Sequence, residues 1–244
     1  MRHFWLASAW LALAIAAPAH GQWAGKGQLG WVLARGNTDT DTLNAALDVT
    51  DTLGDWKYLM GGSALKATTS GTSTADRYTL YGGANYNLSP RSYLVGMLRY
   101  DDDHFSPYAY QATAAVGYGY KFIDEADTKL AAEIGPGYRR QKDRVSGATE
   151  GDAVARGAIN FEHAFNPSTK IYDKFLVEAG SNNTFVQNDI GLNVKMANNL
   201  ALALDYQYRH NSTLPPDAMN FHKTDQLLTT SLVFAFGPQP TTGP

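Results

Sequence analysis

The sequence predicts an all-β protein: a closed antiparallel transmembrane β-barrel of about 12 strands, following an N-terminal signal peptide. Three observations predict it. An exported start precedes the fold, apolar residues recur with period two through the rest of the chain, and the segments between strands alternate between short and long.

The start comes first. Met1-Arg2-His3 is positive, Phe4 to Ala16 is apolar apart from Ser8, and Ala17-Pro18-Ala19 has the small-x-small form of a cleavage site. The apolar stretch is too short and wrongly flanked for a membrane helix. Residues 1–19 are therefore expected to be a signal peptide, 20–236 the barrel, and 237–244 a C-terminal periplasmic tail. Loss of Arg2 moves the formal charge from -3 to -4, and no basic block suggests nucleic acid. The chain has no cysteine, so an exported fold must be held without disulfides.

The strands follow in order. Strand one, near 24–35, leads into 41–51, where Leu43, Ala45, Leu47 and Val49 face one way and Asn44, Ala46, Asp48 and Thr50 the other. Segment 56–67 alternates poorly, as do 91–101 and 170–180. In 76–88 Tyr78, Leu80, Ala84 and Tyr86 oppose Arg77, Thr79, Asn85 and Asn87, and in 108–122 Tyr110, Ala114, Val116 and Tyr120 oppose Gln111, Thr113 and Lys121. Strands are placed at 128–140, 152–165 and 184–196. In 200–210 Leu200, Leu202, Leu204, Tyr206 and Tyr208 share a face, and 223–236 closes the set. Side chains alternate across a strand, so each stretch has one lipid-compatible face and one polar or small face. Each segment has roughly the ten residues of a tilted membrane strand.

The connections repeat the pattern. Those after strands two, four, six, eight and ten are short. Those at Thr68 to Ala75, Asp102 to Pro107, Gln141 to Gly151 and Asn211 to His222 read as longer and more polar. Short turns on one side and longer loops on the other are the habit of outer-membrane barrels. Aromatic residues near both ends of a strand, such as Tyr110 with Tyr120 or Phe122, read as interfacial girdles.

Gly36-Asn37-Thr38 reads as the turn joining strands one and two, because Gly and Asn tolerate positive φ and Thr caps the turn. A phosphate loop is excluded, since the second glycine and the Lys-Ser/Thr pair are missing. An EF-hand is excluded, since the closing Glu is absent. A strand, then Arg35 to Thr42 (RGNTDTDT), then a Leu-rich alternating strand resembles the YdiY-like family, described as salt-induced outer membrane proteins. Tyr118 to Asp124 (YGYKFID) and Leu227 to Phe236 (LLTTSLVFAF) are similar too. The resemblance implies a bacterial outer-membrane barrel linked to salt or osmotic response, with no catalytic residues to carry over. Many outer-membrane barrels end on an aromatic; here Gly237 to Pro244 follow Phe236.

Functional candidates divide by face. By parity, the charged residues expected to line the lumen include Arg77, Lys121, Glu133, Arg139, Arg156, Glu162, Asp189, Asp205 and Arg209. Both signs mix along neighbouring strands, which suits internal pairing or a narrow polar channel rather than a strongly selective pore. Asp101-Asp102-Asp103-His104 could gather a cation, but adjacent residues on an extended chain point opposite ways, and a solvated loop tip explains them. His210 and Ser212 share a face by parity, with Asn220 as a candidate orienter, which supports an alternative reading as an outer-membrane lipid hydrolase. The expectation is a structural or narrow-pore envelope protein, not an enzyme, with no cofactor and no metal. Its expected partners are outer-membrane lipid, the barrel assembly machinery during biogenesis, and small solutes or ions, with no nucleic acid.

Overall fold

The computed structural model describes residues 23–34, 40–215, 218 and 221–238. The signal peptide, the Gly36-Asn37-Thr38 turn, Asn220 and residues 239–244 of the tail lie outside the described residues.

Twelve strands run in order: β1 (Ala24–Ala34), β2 (Thr40–Leu53), β3 (Trp56–Thr69), β4 (Thr72–Asn87), β5 (Ser92–Asp103), β6 (Tyr108–Asp124), β7 (Thr128–Asp143), β8 (Thr149–Asn166), β9 (Thr169–Gly180), β10 (Thr184–Lys195), β11 (Leu200–Asn211) and β12 (Thr224–Phe236). Each pairs antiparallel with its sequence neighbours, and β1 pairs with β12, Leu29 opposite Leu232, to close the ring. Closure satisfies every strand's backbone without an open edge, the condition for spanning a bilayer with strands.

The twelve predicted strands are present, and several run further than the sequence suggested. β4 begins at Thr72, β7 ends at Asp143 and β8 begins at Thr149. The expected long connection at Thr68 to Ala75 is a two-residue turn, Ser70-Gly71, with both residues at positive φ (50° and 79°). Connections of four, five and three residues join β5 to β6, β7 to β8 and β9 to β10, and only the segment between β11 and β12 is long. The rhythm of loop length is thus weaker than predicted. The polar residues assigned to loops continue the strands instead, because a strand that rises out of the apolar zone keeps its ladder while its side chains meet water.

The outer face is apolar. Leu43, Leu47, Leu80, Val116, Leu202, Leu204 and Leu232 are all exposed, as are Leu98 at 64% and Ile134 at 70%. At the end where β1 begins and β12 finishes (the near end) the ring of Trp56 packs on Tyr86 with centroids 4.9 Å apart, and Tyr120 meets Phe122 at 5.1 Å. At the opposite (far) end Tyr100 stacks on Tyr110 at 5.8 Å. Aromatic rings at both rims of an apolar band are what a bilayer's two interfaces select.

Register shifts interrupt the ladder at Ala67/Thr68, Tyr108/Tyr110, Lys121/Ile123 and Ala164/Asn166, and one further interruption has a different cause. Pairing of β6 with β7 lapses between Ala115↔Gly137 and Tyr118↔Ile134, at Pro136, which has no N–H to donate. Beside it Gly135 lies so close to β6 that an added Cβ would fall on the Val116 carbonyl oxygen. Glycine is required there by the approach of two backbones.

Candidate functional site

The inward side chains of the far half form a lattice of charge that crosses the barrel. β5 supplies Arg99, Asp101 and Asp103 at alternate positions, all on the inner face. Asp101 forms an ion pair with Arg99 at 2.6 Å and accepts from Thr79 Oγ1 on β4 at 2.8 Å and from Arg209 on β11 at 3.2 Å. β5 and β11 are six steps apart in the ring whichever way it is counted, so the Arg209 contact spans the full width of the lumen. Asp103 accepts from Arg77 Nε at 2.5 Å and lies 3.9 Å from Arg209. Arg77 also donates to Gln207 on β11 at 2.9 Å and lies 3.7 Å from Asp225 on β12.

A second knot surrounds Glu178 on β9. Thr113 on β6 donates to it at 3.0 Å, and Arg139 and Arg99 lie 3.9 and 3.8 Å away. Arg139, 1% exposed, donates to the main-chain oxygens of Glu178 and of Asn183 in the β9–β10 connection. Asn183 in turn donates to Asn211 at 2.7 Å. Phe185, also 1% exposed, sits at the centre, with the guanidinium carbons of Arg99 and Arg209 4.5 and 5.2 Å from its ring centroid. A desolvated aromatic ring beside two cations makes favourable contacts of about 1–2 kcal/mol each.

Four arginines, Arg77, Arg99, Arg139 and Arg209, thus meet four carboxylates, Asp101, Asp103, Glu178 and Asp225. Pairs withdrawn from water contribute little net stability, since desolvation offsets their attraction, but removal of one partner strands a buried charge and is costly. The chemical capacity of such a lattice is to hold opposite walls in register.

The remaining predicted residues lie in smaller groups. Glu133 accepts from Arg156 at 2.9 Å and from Tyr93 at 3.0 Å. Asp205 accepts from Tyr172. Asp189 accepts from Gln187 at 2.6 Å and from Gln207 at 2.7 Å. Glu162 meets Lys170 at 3.0 Å and Lys121 meets Asp124 at 3.3 Å, both nearer the end that carries the termini.

Arg99, Glu178 and Phe185 were not singled out from the sequence. Arg99, Asp101 and Asp103 do recur at every second position, a signal that would have put them together had β5 been read as reaching Asp103. Phe185 has no such signal, because an aromatic at a strand end reads as an interfacial residue. The acidic run divides as extended geometry requires: Asp101 and Asp103 turn inward to arginines, while Asp102 turns out to His104 at 3.6 Å. Among the described residues no group of three or more His, Asp or Glu is placed to hold a metal ion.

His210 and Ser212 are not brought together as a nucleophile and base. His210 Nδ1 bonds Thr224 Oγ1 on β12 at 2.8 Å, whereas Ser212 Oγ accepts from the Thr184 amide on β10 at 2.8 Å. The two side chains bond to opposite neighbouring strands, and among the described residues no hydrogen bond joins them.

Known proteins supply a frame. The family model described as "Protein of unknown function, DUF481" matches residues 27–236. The uncharacterized protein YdiY of Escherichia coli (strain K12) is 25% identical over 208 residues, covering 84% of this chain and 80% of that protein. Among solved structures, the NanC porin aligns with 89% of this chain and 100% of its own at 14% identity and a TM-score of 0.48. The translocator domain of the autotransporter NalP from Neisseria meningitidis aligns with 88% of this chain and 86% of its own at 13% identity and 0.47. The KdgM porin aligns with 87% of this chain and 99% of its own at 9% identity and 0.46. Identities this low carry no function from those proteins to this chain.

Proposed function

This chain belongs to the DUF481 family, and we propose that it is a bacterial outer-membrane barrel with a structural or narrow-pore role, adjusted to the ionic conditions around it. In this reading residues 1–19 are removed on export, both termini lie in the periplasm, the far end faces outward, and residues 237–244 form a short periplasmic tail. Outer-membrane lipid surrounds the barrel, and the assembly machinery inserts it.

The observation that carries the reading is the contact of Arg209 with Asp101 across the whole lumen at 3.2 Å. A passage interrupted there excludes large solutes, and the paired charges around it leave neither sign in excess. The link to salt follows from the same lattice. The Debye length falls from about 10 Å at 0.1 M to about 3 Å at 1 M, so mobile ions that reach the rim of the lattice compete with its outer pairs, such as Arg77 with Asp225.

Single-channel recording in planar bilayers tests it. The unmodified protein gives a small conductance with weak ion selectivity, and the conductance climbs faster than the bulk conductivity as salt is raised. A large, strongly anion-selective conductance would show that the arginines are not neutralised by their partners and would overturn the reading.

A further inference from the structure

One carboxylate of the outer wall stands within the apolar band. On β9 Tyr172 and Lys174 turn into the lumen, where Tyr172 donates to Asp205 and Lys174 lies over the Tyr172 ring, so Asp173 between them turns outward. On β10 Gln187 and Asp189 bond each other inside, so Asn188 turns outward as well. The two outward side chains meet, and Asn188 Nδ2 donates to Asp173 Oδ1 at 2.5 Å. Ile171 stands between Asp173 and the near end, and Phe175 and Val177 follow it toward the far end. Across the wall its row reads Phe161, Asp173, Ile190 and Tyr206.

The other outward carboxylates are placed differently. Asp41 and Asp51 lie within two residues of the ends of β2, and Asp76 and Asp102 lie beyond the far-rim residues Tyr78 and Tyr100. Those positions reach water. Asp173 does not leave the band: β9 has only 12 residues, hardly more than the roughly ten that a tilted spanning strand needs, and Asp173 is the fifth. A charge against lipid tails is disfavoured, and ionisable groups at membrane depth face protein or water and pair there. Asn188 satisfies only part of this need. Asp173 Oδ2 and the second N–H of Asn188 have no partner among the described residues. Whatever covers the pair must offer a donor to Asp173 and an acceptor to Asn188 within an apolar surround. The pair itself offers both.

We infer that the outer face of β8 to β11 is the contact between two copies of this chain, related by a two-fold axis beside the pair, with Asn188 of each copy donating its second N–H to Asp173 of the other. In such a contact the same patch serves both subunits, so one donor and one acceptor side by side complete each other. Each carboxylate then receives two hydrogen bonds in place of one. Phe161, Ile190 and Tyr206 close around the four polar groups and exclude water, which strengthens the bonds between them. Polar side chains bonded across an apolar interface are a known means of joining membrane segments. Only the placement of the outer face in a bilayer is needed, whatever the lumen conducts.

The chain has no cysteine, so a single introduced thiol maps the face. The full-length mature protein is reconstituted in phospholipid vesicles and oxidised with copper phenanthroline. Ile190→Cys, directly opposite Asp173, gives a disulfide-linked product of twice the chain mass. Leu98→Cys, on the lipid face of β5 across the ring, does not. Adding Asp173→Leu and Asn188→Leu to Ile190→Cys lowers the yield of that product about tenfold. The shift in gel mobility on heating persists, because leucine suits a wall that faces lipid. Asp173→Asn with Asn188→Asp keeps one acid and one amide in each copy and retains the product. Equal yields from Ile190→Cys and Leu98→Cys, no product from Ile190→Cys, or an undiminished yield in the leucine variant overturns the inference. In oxidised cell membranes, a product from Ile190→Cys of any mass other than twice the chain would mean that a different protein covers the face, and would overturn it too.

Discussion

Arg209 on β11 and Asp101 on β5 meet at 3.2 Å although their strands stand on opposite sides of a twelve-strand ring. The same carboxylate also receives Arg99 and Thr79, so one buried acid organises three strands.

Asp101→Asn tests that role. The substitution leaves Arg99 and Arg209 facing a neutral amide in a site of 4% exposure. Breaking a buried pair from one side costs on the order of 3–5 kcal/mol. The folded band on an unboiled gel is expected to be lost at lower temperature, and the residual conductance to shift toward anions. Unchanged thermal stability and unchanged selectivity would show that Asp101 does not anchor the lattice.

Phe185→Ala removes volume without charge. The ring lies against the guanidinium groups of Arg99 and Arg209, and its loss leaves a cavity between them. Truncation of a buried Phe costs about 3–5 kcal/mol. Conductance is expected to rise while the ratio of cation to anion permeability stays where it was. A shift in selectivity as large as that of Asp101→Asn would mean that the ring acts through the charges and not through the space it fills.

Arg139→Ala combined with Arg156→Ala has the opposite electrostatic sign. Glu133 loses its cation and Glu178 keeps only Arg99, and Asn183 loses the guanidinium that holds the β9–β10 connection inward. The passage is expected to widen and to favour cations. Reversal-potential measurements under a salt gradient decide it; movement toward anions would refute the assignment of these partners.

Gly135→Leu concerns the wall. Its Cβ would fall on the Val116 carbonyl oxygen, backbone that cannot rotate away, whereas Gly96→Ala meets open space. Strong loss of heat-modifiable barrel is expected for Gly135→Leu and near-normal yield for Gly96→Ala. Equal yields would show that the close approach of β6 and β7 is not needed for assembly.

The barrel was legible because its constraint is local. A strand between lipid and lumen must alternate, so Leu43, Leu47, Leu202 and Leu204 announce their strands wherever they occur. Strand ends were less legible: Asp102 to Pro107 read as loop, yet β5 continues through Asp103, because above the bilayer a paired strand and a polar loop draw on the same residue types.

The sequence by itself determined the class of fold and the twelve strands, since period two needs only neighbouring residues. Which charge meets which was decided by the tertiary structure alone. Arg209 and Asp101 are 108 residues apart, and nothing in their flanking sequence names the partner. Closure of the ring sets strand count, register and tilt, and those together choose which side chains face one another across the lumen.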